Sequence, residues 1–87
     1  MTVREHIEEY CEDTILLENY DYDSALIGIT EDDRAVYDYD LMVEYLLNTG
    51  DFESNIDAME WIDYNTIRAI GYMGEKAPVI IHTLKNI

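Results

Sequence analysis

Between Ser24 and Asp40 two short apolar runs, Ala25–Thr30 and Arg34–Tyr39, flank the charged tripeptide Glu31-Asp32-Asp33. Ala, Ile, Val and Tyr suit a half-buried pleated surface and three consecutive acids do not, so the pattern predicts a β-hairpin. A three-residue connection needs a residue near the left-handed region, a role Asp33 can take, though less readily than Gly or Asn. Upstream, Val3, Ile7, Tyr10 and Cys11 recur at helical spacing, while Glu5, Glu8, Glu9, Glu12 and Asp13 fall mostly on other faces. Thr2-Val3-Arg4-Glu5 has the form of a capping box, and together these features predict a helix from about Thr2 to Thr14 with a solvated acidic face. Ile15-Leu16-Leu17 ends that helix or anchors the chain, and Glu18–Asp23 is a connector or the start of a strand. Tyr20 and Tyr22 alternate there with Asp21 and Asp23, and the string Tyr-Asp-Tyr-Asp returns at Tyr37–Asp40. Two copies are too few for a repeat architecture.

Beyond the hairpin, Asp40 is a candidate cap for a helix holding Leu41, Met42, Tyr45 and Leu46 on one side, with Gly50 as its left-handed terminator. Ser54, with Asp57 three residues on, opens another helix to about Tyr64, expected to turn Ile56, Met59, Ile62 and Trp61 inward. Asn65–Gly71 reads as a short helical turn and Gly71–Gly74 as a loop. Pro78 suits the first residue of a strand, predicted over Val79–Leu84. The expected fold is a single small α+β domain of order α-β-β-α-α-β. Its three-stranded, antiparallel-type sheet would have the helices packed on one face.

Charge changes this picture more than size does. The 87 residues suffice for one domain with a modest core, and 48% hydrophobic content is ordinary, so the acidity does not reflect a disordered composition. Twenty acidic against five basic residues give a formal net charge of −15. The imbalance is local: residues 1–63 carry −17 and residues 64–87 carry +2. Such a chain repels nucleic acid and anionic membranes, attracts basic protein surfaces, and strains its own compact state. Solubility or a salty habitat would also account for acidity alone. Cys11 has no second cysteine to pair with, which fits a reducing compartment. The start MTVREHIEEY is charged from its fourth residue, and no apolar run approaches the roughly 20 residues of a membrane span. A cytoplasmic location in a bacterial host cell is the expectation.

Catalytic and metal signatures are sparse. His6 and His82 lie near opposite ends of the chain, and Cys11 and His6, five residues apart, do not share a helical face. Asp21-Tyr22-Asp23-Ser24 opens like a calcium loop, but Ala25, Leu26 and Asp32 stand where a ligand, a Gly and a Glu are required. Phosphate-loop, dinucleotide, metalloprotease and nucleophile-elbow motifs are missing from the sequence. The expectation is a non-enzyme without cofactors.

Duplex DNA carries one negative charge per roughly 1.7 Å of axis, and its binding proteins present matching Lys and Arg grooves. A stiff acidic ribbon could occupy such a groove. The candidate partner-binding residues are Asp21, Asp23, Glu31, Asp32, Asp33, Asp38 and Asp40, with Tyr20, Tyr22, Tyr37 or Tyr39 adding stacking if exposed. The segments YDSALIGIT, RAVYDYDLMVEYL, AMEWIDYNTIRAI and EKAPVII resemble a group of small acidic proteins carried by phages and mobile elements of Gram-positive bacteria. In size and charge the chain is also similar to anti-CRISPR and anti-restriction proteins that mimic DNA, without a shared motif. These resemblances imply a basic nucleic-acid-binding target, such as a Cas effector or restriction complex, and carry over no individual residue. The net charge argues against direct nucleic-acid contact and against a membrane, and a homodimer is compatible with it. The alternatives are an accessory interaction module of a mobile element, kept soluble by its charge, and an antitoxin or antirepressor.

Overall fold

The computed structural model describes residues 3–11, 13–17 and 22–83. Helix α1 spans Val3–Tyr10, shorter than the periodicity predicts, and buries Ile7; Cys11, just beyond it, is buried too, and its amide still donates to the Ile7 carbonyl at 2.8 Å. Tyr10 is exposed beside His6, and Thr2 of the expected capping box lies outside the described residues. Leu17 anchors the following segment: its side chain is buried and its amide donates to the Tyr37 phenolic oxygen at 3.1 Å. Tyr22–Ala25 is a turn of 3₁₀ helix, so the second half of the first Tyr-Asp string is not extended. Tyr22 is fully buried and meets Tyr37 and Tyr45 edge-on, with ring centroids 6.4 and 5.7 Å away.

The hairpin is present. Strand β1 (Leu26–Ile29) pairs antiparallel with β2 (Ala35–Asp38), with a bulge between Leu26 and Gly28. Asp33 takes the left-handed conformation the short connection demands, at φ 63°. Thr30 ties the turn, its amide donating to the Arg34 carbonyl at 2.8 Å and its hydroxyl oxygen accepting from the Arg34 amide at 2.9 Å.

Strand β3 (Val79–Ile81) lies beside β2, giving the order β1-β2-β3, but runs parallel to it. The sheet is therefore mixed, where an antiparallel type was expected. Parallel neighbours need a long crossover, and two helices supply it. Helix α2 (Tyr39–Thr49) begins where β2 ends. Its cap is Asp38, whose carboxylate accepts from the Leu41 amide at 3.2 Å, so Asp40 falls in the first turn. Gly50 closes α2 at φ 85°, as the sequence predicts. Helix α3 starts at its Ser54 cap, runs over Asn55–Trp61, widens to π geometry over Ile62–Ile67 and ends with Arg68–Ile70. Ala58, Ile62 and Thr66 form its buried face at four-residue intervals, while Ile56 and Met59 are exposed. That corrects the expected inward set, because the small Ala58 lets α3 close against α2.

Paired strand residues share a face. Leu26, Tyr37 and Ile80 point into the core with Ile7, Met42, Leu46 and Ile62, whereas Val36, Val79 and Ile81 stand outside that cluster. The element order and the α+β class are those expected.

Candidate functional site

Of the seven acids proposed for partner binding, the six that are described do not form one exposed set. Asp21 lies outside the described residues. Asp23 is exposed but held by the Arg4 guanidinium at 2.5 Å, an ion pair that also involves Glu8 at 3.4 Å and raises the Arg4 pKa above its ordinary value. Glu31, Asp32 and Asp33 come together on the hairpin turn, all exposed. The Asp32 carboxylate accepts from the Thr30 hydroxyl, which, with Arg34 and Lys76 nearby, holds it below the usual carboxylate range. Lys76 also donates to the Asp32 carbonyl. The Asp33 carboxylate is 3.8 Å from the Cys11 thiol.

Asp38 is 7% exposed, with one carboxylate oxygen on the Leu41 amide and the other accepting from the Thr83 hydroxyl. Its position as the α2 cap withdraws it from any partner. Tyr22, Tyr37 and Tyr39 are buried, so none offers a stacking surface, and Tyr20 lies outside the described residues. Asp40 remains exposed, on α2 and away from the turn.

Three of the basic side chains thus gather around the ribbon: Arg4 on Asp23, Lys76 on Asp32, and Arg34 with its Nε donating to the Ala77 carbonyl at 2.8 Å. The α2–α3 pair has the opposite character. Between Arg34 and Arg68 the chain holds eight acids and neither Lys, Arg nor His. Apart from Asp38, all are exposed: Asp40, Glu44, Asp51, Glu53, Asp57, Glu60 and Asp63. That unbroken run without a cation is readable in the sequence.

Two shallow grooves border these helices. Asp40 and Glu44 line one of about 340 Å³ between α2 and α3, with Val43, Leu47 and Met59. The other, about 480 Å³, is lined by Asp51, Glu53, Asp57 and Glu60 together with Trp61 and Tyr64. Phe52 supports Trp61 edge-on at 6.2 Å, so Trp61 is half-buried at the groove and not sealed in the core. Beneath the first groove the Tyr39 hydroxyl donates toward Asp63 at 3.1 Å. Burial, that hydrogen bond and the charges of Asp63 and Asp40 push this phenol up to about 12.

Among the described residues no group of three His, Cys, Asp or Glu side chains is placed to hold a metal ion, and no helix is long and apolar enough to cross a membrane. What the arrangement offers is a field. Seven exposed carboxylates repel one another with no basic residue between them along the chain, Arg68 entering only at the end of α3, and a cationic surface would relieve that repulsion. No family model matches the chain, and neither a curated protein nor a solved structure matches it.

Proposed function

We propose that this protein inhibits a nucleic-acid-binding protein by acting as a DNA mimic, of the anti-CRISPR or anti-restriction kind, and that its contact surface is the α2–α3 pair. The observation that carries this reading is the set of seven exposed acids on α2, α3 and their connection, with no basic residue among them. Asp40 and Glu44 are four residues apart, and Asp57, Glu60 and Asp63 three apart, which spaces carboxylates about 4.5–6 Å along each helix. Two helices side by side roughly halve that spacing. The result is sparser than the one charge per roughly 1.7 Å of duplex DNA, yet of the same order. The hairpin turn, with Glu31, Asp32 and Asp33, is a secondary acidic point whose charge is partly offset by Arg34 and Lys76.

The test is inhibition of DNA binding by a panel of RNA-guided nucleases and restriction complexes. Inhibition by the native protein should weaken by orders of magnitude between roughly 50 and 300 mM salt, as displaced counterions are regained. The triple variant Glu44→Lys, Glu53→Lys, Glu60→Lys should keep the native circular dichroism and lose inhibition. Reversal of Glu31 and Asp32 should weaken it less. Inhibition that survives the triple reversal, or ignores salt, would leave an accessory module whose acidity serves solubility alone.

A further inference from the structure

Aromatic rings and carboxylates line the groove of about 480 Å³ along α3 together. Asp57, Glu60, Trp61 and Tyr64 follow one another at intervals of three, one and three, which puts them on one helical face beside the buried stripe of Ala58, Ile62 and Thr66. Phe52 and Glu53 reach the groove from the connection between α2 and α3. Glu53, Asp57 and Glu60 are exposed. Trp61 is half-buried with Phe52 edge-on at 6.2 Å, which steadies the indole where it lines the groove.

Tyr64 is 68% exposed. An isolated surface ring would call for no explanation. Two rings and three carboxylates lining one groove do, because a face that serves solubility alone has no use for the rings. Among the described residues no basic side chain lines this groove; Arg68, one turn beyond Tyr64, is not part of it.

Charge complementarity fixes the sign of an occupant, and the rings fix its shape. The face of an aromatic ring is negative and attracts a cation, Trp most strongly. A lysine ammonium answers the carboxylates but is a compact, strongly hydrated point charge. A guanidinium is planar and weakly hydrated, so it can stack on a ring while its fork of N–H groups donates to carboxylates alongside. We infer that this groove is an arginine-binding site: it takes a guanidinium of a basic protein against Trp61 and Tyr64, with Glu53, Asp57 and Glu60 accepting its N–H groups. That occupant presupposes the α2–α3 surface proposed above as the contact for a basic target. The field draws the target in, and the groove selects arginine over lysine.

Trp61 is the sole tryptophan of the chain, so its fluorescence reports on the groove directly. The full chain is titrated with an arginine hexapeptide and with a lysine hexapeptide of equal charge. Ionic strength is held at about 0.15 M, where exposed charges more than about 8 Å apart are largely screened. The arginine peptide should change the Trp61 emission saturably and bind at least about threefold more tightly than the lysine peptide. Tyr64→Ala removes an exposed ring, so it should leave the melting temperature nearly unchanged and abolish the preference for arginine. Equal affinities for the two peptides, arginine binding that leaves the Trp61 emission unaltered, or a preference that survives Tyr64→Ala overturns the inference. No nuclease enters this measurement, so the two readings fail separately. Arginine-selective binding by a chain that inhibits no DNA-binding protein sinks the inhibitor reading and leaves the groove. Salt-sensitive inhibition by a chain that binds both peptides alike does the reverse.

Discussion

Asp38 and Asp40 sit two residues apart in the same Tyr-Asp string and have the same chemistry, yet only one is available to another molecule. Tyr39 decides between them. Its ring is buried and its hydroxyl reaches Asp63 on α3, which requires α2 to have begun by residue 39 and makes Asp38 the cap. Asp38→Ala should therefore lose both the Leu41 amide bond and the partner of the Thr83 hydroxyl, destabilising the protein by about 1–2 kcal/mol or somewhat more. Asp40→Ala should change stability by less than about 0.5 kcal/mol, since an exposed first-turn acid contributes only through the helix dipole. Urea denaturation reads both, as a midpoint shift at constant slope. Equal losses from the two variants would contradict the assignment of the cap. For inhibition of a basic target the order should reverse, with Asp40 the more sensitive.

At the level of elements, what was legible in the sequence is what local chemistry decides. The hairpin follows from two apolar runs around three acids, its turn from the tolerance of Asp33 for a positive φ, and the C-terminal end of α2 and the start of α3 from Gly50 and Ser54, whereas the α2 cap is Asp38 and not the expected Asp40. The direction of β3 was not legible, because a β-branched run pairs equally well either way and only the crossover through α2 and α3 sets its sense. The buried face of α3 was missed for a related reason. Ile56, Met59 and Ile62 look like a better stripe than Ala58, Ile62 and Thr66, but tight packing against α2 favours the small Ala58 over the larger side chains. That choice buries the polar Thr66. It lies in the π segment, is 2% exposed, and its hydroxyl finds no hydrogen-bond partner among the described residues. A buried unsatisfied hydroxyl costs about 1–3 kcal/mol. Thr66→Val keeps the shape and removes the polar atom, so it should raise stability by about 1 kcal/mol, seen as an upward shift of several degrees in the thermal midpoint. A lower midpoint would mean that the hydroxyl is satisfied in solution, by water or by a ligand in the cavity of about 610 Å³ it lines with Leu17, Tyr22 and Met73.

Across the whole molecule, charge is segregated rather than spread. The ribbon holds Arg4, Arg34 and Lys76 close to its own acids, whereas the stretch from Asp38 to Ile67 carries eight carboxylates, seven of them exposed, and no basic residue. Repulsion within that last group opposes folding, and it is greatest at low ionic strength, where the Debye length of about 30 Å at 0.01 M is comparable to the molecule's 26–37 Å dimensions. The native protein should therefore melt several degrees higher in 0.5 M than in 0.01 M sodium chloride, with most of the gain complete by roughly 0.15 M, where the Debye length falls to about 8 Å. If the repulsion resides in the α2–α3 acids, the triple variant Glu44→Lys, Glu53→Lys, Glu60→Lys should also melt higher than the native chain at low salt and show a flatter salt dependence. The same substitutions are expected to abolish inhibition, so the surface that binds would be the surface that destabilises, the usual relation between a functional site and the fold that carries it. A matched reversal of Glu31, Asp32 and Asp33 changes the formal charge by the same amount, but on a turn already offset by Arg34 and Lys76, and should stabilise less. Equal gains from the two sets would show that total charge matters and its placement does not, and the α2–α3 pair would lose its claim to be a site.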